Sequence, residues 1–273
     1  MQLGIFARTF AVQGAVPVLS AVRAAGYDCA QFNMACLGLP SMPDEIPSGT
    51  AEEIAAASRE AGVGIAAVSA TYNMIHPDPQ QRAIGLRRLG VIAASSRAMG
   101  TRLVTLCTGT RDPHDQWRHH PENATPEAWR GLLTEMSKAV ELADRFDVDL
   151  GIEPELANIV SSAPLARRLI DALQSPRLKI VLDPANLFEV TDSAKRLALV
   201  AEAVDLLADR IVMAHAKDRD AAGQFVAAGR GVIDFRHFVS RLAAAGFDGP
   251  LVTHGLEEAE APSVARFLRD ILT

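Results

Sequence analysis

The chain of 273 residues has the length expected of one α/β barrel, about 250 residues, and can bury a large core without disulfides. Hydrophobic residues make up 49% and charged residues 22%, which excludes a disordered or fibrous chain. The formal net charge of -6 argues against nucleic acid or an anionic membrane surface as a partner.

The cysteines and the N-terminal segment bear on the cellular compartment. Cys29, Cys36 and Cys107 form no CxxC pattern, which indicates reduced thiols. The first residues show no signal-peptide pattern, and no apolar run reaches the roughly 18 residues of a membrane span. We therefore expect a cytoplasmic protein without a membrane partner. The sequence leaves homo-oligomerisation open, because no interface pattern stands out.

Short apolar, β-branched runs alternate with longer runs of helical period along the whole chain. The predicted strands are residues 2–6, 29–33, 64–69, 103–107, 149–153, 179–183, 211–215 and 251–254. The predicted helices are residues 15–25, 51–61, 80–99, 126–146, 164–173, 193–208, 235–245 and 261–272. Four of these helices are followed by a glycine, which commonly ends a helix: Gly26, Gly62, Gly100 and Gly246.

Eight strand–helix units predict a parallel sheet that closes into a (β/α)₈ TIM barrel rather than an open doubly wound sheet. No GxGxxG follows the first strand, which disfavours a dinucleotide-binding fold. No linker is long enough to separate domains, so residues 1–273 should form a single domain. The longest non-periodic segments, 33–49 and 108–124, follow strands and should lie at the active face of the barrel.

Four predicted strands in the second half of the chain end in a residue that can bind a metal. Glu153, Asp183, His215 and His254 each follow an apolar run. Any one of them alone is more simply a loop residue or a cap, but four at equivalent positions would meet at one barrel mouth. A cation would offset the cost of burying the carboxylates there. The mixed oxygen and nitrogen donors predict one divalent metal: Mn²⁺, Mg²⁺, Co²⁺ or Zn²⁺.

A set of short motifs in a fixed order resembles the xylose isomerase-like TIM barrel family, the sugar phosphate isomerase/epimerase group. The motifs are YNMIHPD at 72–78, VTLCTGTRDP at 104–113, GIEPE at 151–155, VLDPANL at 181–187, AHAKD at 214–218, GRGVIDF at 229–235 and FDGPLVTHGLEE at 247–258. In that family a Glu, an Asp, a His and a Glu after the fifth to eighth strands hold one metal. The resemblance assigns the first three of these positions to Glu153, Asp183 and His215.

The eighth strand departs from the family pattern. His254 stands where the family has its second glutamate, and Glu257 lies three residues further on, so either could be the fourth ligand. The family's isomerases and epimerases use the two metal-bound glutamates to move a proton α to a carbonyl through an enediolate. The resemblance therefore implies Glu153 as one catalytic base, and Glu257 or His254 as the other. A histidine whose lone pair binds metal cannot act as that base.

Other polar residues are predicted to lie at the same mouth. The family places a substrate-contacting His after the third strand, which makes His76 a candidate acid or donor and Asn73 a substrate contact. A loop imidazole bonded to backbone is the alternative for His76, because NMIHPDP is typical of turns. Asn186 occupies a position where many relatives have His, and its amide can position a hydroxyl but cannot carry a proton.

Two residues of the segment after the fourth strand are further candidates for substrate binding. Arg111 has the planar fork that suits phosphate or carboxylate, although a pair with a neighbouring acid would serve only to stiffen the loop. Trp117 could stack on a sugar face or anchor the loop. After the seventh strand, Asp218 is predicted either to orient His215 or to contact substrate. A short hairpin is expected at 219–228.

These residues predict a metal-dependent isomerase or epimerase acting on a small polyol, sugar, sugar phosphate or keto acid. A metal-dependent dehydratase of cyclic polyols shares the fold, and the sequence does not separate the two. The departures at His254 and Asn186 also fit a sugar-binding barrel that has lost catalysis. A DNA-repair endonuclease is disfavoured, because the site has too few ligands and the chain is acidic.

Overall fold

A computed structural model describes all 273 residues of the chain. Eight parallel strands form the barrel: β1 (Gln2–Phe6), β2 (Cys29–Phe32), β3 (Gly64–Ser69), β4 (Leu103–Leu106), β5 (Asp149–Ile152), β6 (Leu178–Leu182), β7 (Ile211–Ala216) and β10 (Pro250–Thr253). Two short antiparallel strands, β8 (Asp218–Arg219) and β9 (Phe225–Val226), form a hairpin outside the barrel, as expected.

Eight helices surround the barrel, each following one of its strands. They are α1 (Ala15–Ala24), α2 (Thr50–Ala61), α3 (Pro79–Ser96), α4 (Pro126–Phe146), α5 (Ala163–Leu173), α6 (Ser193–Leu207), α7 (Phe235–Ala244) and α8 (Ala261–Leu272). The barrel closes because β1 pairs with β10 on one side and with β2 on the other. The predicted (β/α)₈ TIM barrel is confirmed. None of its helices is both long and apolar enough to cross a membrane.

The helix ends follow from local chemistry. The four glycines predicted to follow helices all have positive φ, a conformation that costs glycine little. At the start of α4, Thr125 caps the helix by accepting the Ala128 backbone N–H, and Pro126 occupies the first turn. Helix α3 ends at Ser96, earlier than predicted, because the chain turns over the next residues to reach Gly100.

The buried residues form two separate apolar groups. The larger group fills the layer between the strands and the surrounding helices. The smaller group contains one side chain from each of five barrel strands and lies inside the barrel: Ala67, Leu103, Val181, Met213 and Val252. Because this interior is packed, polar chemistry is confined to the strand ends, where the chain leaves the barrel.

Candidate metal centre

Four potential metal ligands lie together at the C-terminal mouth of the barrel. Glu153, Asp183 and His254 come immediately after β5, β6 and β10, while His215 lies one residue before the end of β7. One donor atom from each of the four lies within 4.8 Å of the others. Since parallel strands deliver their ends to the same edge, the alignment of these residues after apolar runs explains why they meet.

His215 is held by a chain of hydrogen bonds from the first half of the barrel. Thr105 Oγ1 accepts from Gln31 Nε2 at 3.1 Å, which leaves Gln31 Oε1 to face His215 Nε2 at 2.8 Å. Because that oxygen can only accept, the proton of the neutral imidazole is on Nε2. The lone pair of His215 is then on Nδ1, which lies 3.2 Å from Glu153 Oε1.

Asp183 is almost completely buried, and its two carboxylate oxygens have different partners. Its Oδ1 accepts the backbone N–H of Ala185 at 2.9 Å. Its Oδ2 lies 3.3 Å from His254 Nε2 and 3.4 Å from Lys217 Nζ. Burial alone would raise the pKa of Asp183, but Lys217 and His254 hold it well below its usual range. Asp183 is therefore ionised at neutral pH.

Glu153 is oriented by two neighbours through one of its oxygens. Asn186 Nδ2 donates to Glu153 Oε1 at 2.9 Å, and His215 Nδ1 faces the same oxygen. Burial would raise the pKa of Glu153, and the interaction with His215 outweighs it, so the pKa lies below its ordinary value. No hydrogen bond in the structure ends on Oε2, which leaves this oxygen unengaged.

His254 completes the group as a neutral imidazole. Burial lowers its pKa, and the neighbouring His215 lowers it further, against the opposing hydrogen bond to Asp183. The two imidazole rings lie close together, with centroids 4.4 Å apart. A neutral imidazole keeps the lone pair that a metal requires, so His254 can bind a cation at neutral pH.

The donor set fits a divalent cation. In the neutral form of His215, the lone pair of Nδ1 points at a carboxylate oxygen, an arrangement that repels unless a cation or proton lies between them. Two ionised carboxylates at a buried mouth also need compensating positive charge, and Lys217 supplies only one. Two oxygen and two nitrogen donors suit Zn²⁺, Mn²⁺ or Co²⁺, and their outer partners are already in place.

Three of the four donors line a cavity of about 340 Å³ at the barrel mouth, called here the inner chamber. It is lined by Phe6, Arg8, Gln31, Asn33, Ser41, Ser69, Thr71, Thr105, Leu106, Cys107, Gln116, Trp117, Glu153, His215 and His254. The two long segments after β2 and β4 contribute Asn33, Ser41, Gln116 and Trp117, as the sequence predicted for the active face. Trp117 therefore remains a candidate for stacking on substrate.

Glu257 does not join the four donors. Its side chain is exposed and caps the short 3₁₀ turn Glu258–Glu260, in a reciprocal capping box with Glu260. Of the two alternatives for the fourth ligand, the structure brings His254 to the group and leaves Glu257 outside it. The prediction of Glu257 as a second catalytic base is not supported by this position.

His76 and Asn73 have their polar atoms bonded within the loops. The Nδ1 of His76 accepts the Asp78 backbone N–H at 3.0 Å, and its Nε2 lies 3.1 Å from the carbonyl oxygen of Pro113. Asn73 Oδ1 accepts the Thr110 backbone N–H at 2.9 Å. The structure therefore favours the loop imidazole for His76, and it gives Asn73 the task of joining the loops after β3 and β4.

The side chain of Arg111 also makes its polar contacts within the loops. Its Nη1 donates to the carbonyl oxygen of Ile75 at 3.0 Å, and its Nε lies 3.6 Å from Glu122 Oε2. It does not line the inner chamber. The predicted anion-binding role is therefore not supported, and the alternative, a pair that stiffens the loop, matches the structure. Arg8, which sequence reasoning missed, is the guanidinium that lines the chamber.

Asn186 and Asp218 are fully buried, and the polar atoms of both side chains are bonded to other parts of the chain. Asn186 links Glu153 to Lys217, whose Nζ donates to Asn186 Oδ1 at 3.1 Å. Asp218 accepts four backbone N–H groups, those of Arg219, Gly229, Gly231 and Ile233. A Cβ at Gly231 would lie 2.0 Å from the carbonyl oxygen of Arg219, so glycine is needed for this approach.

Sequence reasoning missed Gln31, Thr105, Lys217 and Glu155. Gln31 and Thr105 lie inside strands and resemble barrel wall, so no sequence signal distinguishes them. Lys217 lies within the motif AHAKD, and its Nζ contacts Asp183 and lies 3.8 Å above the ring of Phe225. Burial raises the pKa of Glu155 to about 7, with Lys217 opposing the rise and Glu153 and Asp183 adding to it.

Fold and site together define a (β/α)₈ barrel with four candidate metal ligands convergent at its mouth. The family model described as xylose isomerase-like TIM barrel matches residues 19–271. The chain belongs to the xylose isomerase-like TIM barrel family, which confirms the resemblance drawn from its motifs. Among curated proteins, none matches the chain by sequence.

Several solved structures share the whole fold at low identity. An L-ribulose 3-epimerase is 18% identical with a TM-score of 0.76, covering 99% of this chain and 94% of that one. The probable 3-DHS dehydratase AsbF from Bacillus anthracis is 11% identical with a TM-score of 0.76, covering 98% and 99%. The IolI protein with a bound zinc atom is 14% identical with a TM-score of 0.75, covering 100% and 98%.

Proposed function

We propose that the protein is a divalent-metal-dependent isomerase or epimerase acting on a small sugar or polyol. The observation that carries this proposal is the convergence of Glu153, Asp183, His215 and His254 within 4.8 Å, three of them on the wall of a chamber large enough for a small ligand. The epimerases among its structural neighbours support it, since they use the same barrel on sugars. A bound metal would polarise a substrate carbonyl and stabilise negative charge on its oxygen.

Within this proposal Glu153 is the proton acceptor. It is ionised because its pKa lies below the ordinary value, and its Oε2 is not engaged in any hydrogen bond. Asn186 donates a hydrogen bond to the other oxygen, which restricts rotation of the carboxylate. A base held in this way can remove a proton α to a carbonyl, giving an enediolate, and return it to a neighbouring carbon.

The single carboxylate base bears on the stereochemistry. A base on one face of the substrate returns the proton to the same face, which suits a 1,2-shift between aldose and ketose. Epimerisation needs a donor on the opposite face, and the family's second glutamate is replaced here by His254, which belongs to the group of four candidate ligands. Of the two reactions, the geometry therefore favours isomerisation.

The lining of the inner chamber bears on the substrate class. Amide and hydroxyl groups from Gln31, Asn33 and Ser69 suit the hydroxyls of a sugar. Arg8 lines the same chamber with its Nη1 3.3 Å from Ser41 Oγ. Arg8 could pair with the phosphate of a sugar phosphate or the carboxylate of a keto acid, whereas Arg111 does not reach the chamber.

The proposal is tested with a panel of aldoses, ketoses, sugar phosphates and keto acids in D₂O, with Mn²⁺, Co²⁺, Zn²⁺ or Mg²⁺ supplied. We expect deuterium to enter the carbon next to the carbonyl of at least one substrate, and Glu153→Gln to abolish this exchange. Glu257→Gln serves as the matched control and should exchange normally. Exchange that survives in Glu153→Gln would contradict its role, and no exchange with any substrate and metal would overturn the proposal.

Dehydration is the second candidate, favoured by the same single base. In a dehydration Glu153 would remove the proton α to the carbonyl and, once protonated, give it to the hydroxyl that leaves the β-carbon, so that proton and hydroxyl depart as water and no second base is needed. A dehydratase of the same fold is among the structural neighbours. Product mass separates the reactions, because dehydration lowers it by one water. Tight sugar binding without exchange or mass change would instead identify a sugar-binding barrel without catalysis.

A further inference from the structure

A second cavity adjoins the inner chamber. This outer groove has a volume of about 530 Å³ and lies between the segments that follow β3 and β4. Thr71, Gln116 and Trp117 line both cavities, so the two spaces are continuous around these side chains. Each volume falls within the range of about 300–1,000 Å³ typical of small-ligand sites. The mouth therefore has room for two ring-sized groups.

Trp117 stands at the junction of the two cavities in an exposed yet fixed position. Its side chain is 54% exposed, the largest aromatic surface that the chain leaves open. The turn that carries it is pinned, because Asp115 Oδ1 accepts the Trp117 backbone N–H at 2.9 Å. Asp112 Oδ1 also accepts the backbone N–H groups of His114 and Asp115. A pinned, exposed indole offers a flat apolar face to a ligand at little entropic cost.

The outer groove is lined by groups that suit hydroxyls rather than anions. No hydrogen bond in the structure involves the side chains of Gln81, Gln116 or His114, which leaves their donors and acceptors available. Asp112 and Asp115 on the same wall pair with Arg118, and the guanidinium of Arg88 is hydrogen-bonded to Asp44. A phosphate or carboxylate would therefore meet no unpaired arginine in the groove, whereas the free amide groups can bond the hydroxyls of a neutral ring.

We infer that the substrate has two rings, one in the inner chamber and a second, neutral sugar ring in the outer groove against Trp117. The substrate class is then a disaccharide or a glycoside with a sugar-sized second group. This inference rests on the proposed function for the identity of the reacting ring, and on the two cavities for the second ring. Trp117 is the residue that distinguishes the two-ring substrate from a free monosaccharide.

The two tryptophans of the chain give a direct reporter. Trp129 lies on α4, where the guanidinium of Arg168 stacks 4.1 Å from the centroid of the Trp129 ring. Trp129 lines neither cavity. Trp129→Phe leaves Trp117 as the single indole. We expect cellobiose, maltose or sucrose to shift the fluorescence of this variant, and at least one to bind about three- to tenfold more tightly than D-glucose or D-fructose.

Calorimetry on Trp117→Ala and Gln81→Leu supplies the second measurement, since both side chains lie at the surface of the groove. Both variants should lose the preference for the disaccharide, and Gln81→Leu, whose side chain lines only the outer groove, should keep the affinity for the monosaccharide. Equal affinities for one and two rings, a preference that survives in Trp117→Ala, or no response to any disaccharide would overturn the inference. Binding is measured without turnover, so a failure of the proposed reaction leaves this result intact and is recognised separately.

Discussion

The two halves of the barrel differ in what they place at the mouth. The second half, from β5 to β10, supplies two carboxylates and two imidazoles, all four at or beside strand ends. The first half, from β1 to β4, supplies neutral groups, such as Gln31 from β2 and Thr105 from β4. Hydrogen bonds join the two halves at His215, so neutral side chains of the first half orient a candidate ligand of the second half.

The comparison shows that charge and orientation come from different parts of the chain. Ligands are conspicuous in a sequence because a charged residue after an apolar run needs an explanation. The residues that aim them are ordinary amides and hydroxyls within the strands. Substitutions in the two halves should therefore differ in effect. Loss of a ligand in the second half should reduce activity strongly, whereas loss of an orienting group in the first half should reduce metal affinity by a smaller factor.

The largest effect is expected from Asp183→Asn in the charged half. The amide cannot supply the negative charge that balances a cation, and its NH₂ group has no lone pair to offer a metal. We expect kcat/KM of the metal-loaded enzyme to fall about a thousandfold or more, because metal stabilisation of the substrate oxygen is worth several kcal/mol. Activity within tenfold of the wild type would show that Asp183 is not a ligand.

A smaller effect is expected from Gln31→Leu in the neutral half. This change removes the acceptor that fixes the Nε2 proton of His215 and so frees the ring to turn. We expect a loss of about 10–100-fold in metal affinity, measured by competition with a chelator. Gln224→Leu, at an exposed position on the hairpin turn, is the matched control and should bind metal normally. An unchanged affinity in Gln31→Leu would mean that the two halves act independently.

The apo protein should lose stability as the pH rises through the range in which Glu155 titrates. The folded state keeps the Glu155 proton up to about pH 7, whereas the unfolded chain releases it near the ordinary pKa of 4.5. The folded state therefore binds more protons between these values, and the free energy of unfolding falls with rising pH. The fall is about 3 kcal/mol, because one pKa unit corresponds to about 1.4 kcal/mol.

The variant Glu155→Gln isolates the contribution of Glu155 to the pH dependence of the free energy of unfolding. The variant should gain stability over the wild type between pH 5 and pH 8, as measured by urea unfolding in the presence of chelator. A constant difference between the two proteins across that range would show that Glu155 is ionised throughout, and that Lys217 neutralises it in the folded state.

The smallest effect is expected from Glu257→Gln. The capping box that Glu257 shares with Glu260 would weaken, which costs about 0.5–1 kcal/mol of unfolding free energy. Metal affinity should stay within about twofold of the wild type, since metal affinity depends on ligands and their direct partners. A tenfold loss of affinity would return Glu257 to the ligand set and remove His254 from it.

The sequence was sufficient to predict the fold and the four donors, because periodicity and strand-end position are local properties. It was not sufficient to show which polar atoms are already bonded. Three of the predicted substrate contacts lie in loops on the active side but have their polar atoms bonded to backbone. Arg111 donates to the carbonyl oxygen of Ile75, while Asn73 and Asp218 accept backbone N–H groups. Their partners are distant in sequence, so only the folded chain reveals that these residues hold loops together.

The bound metal tests the central claim most directly. Elemental analysis of protein purified without chelator, beside Glu153→Gln and the matched control Glu257→Gln, measures it without reference to any substrate. We predict about one divalent metal per chain in the wild type and in Glu257→Gln, and a clear loss in Glu153→Gln. No metal in the wild type even after soaking with Mn²⁺, Co²⁺ and Zn²⁺, or equal metal in all three proteins, would contradict the account.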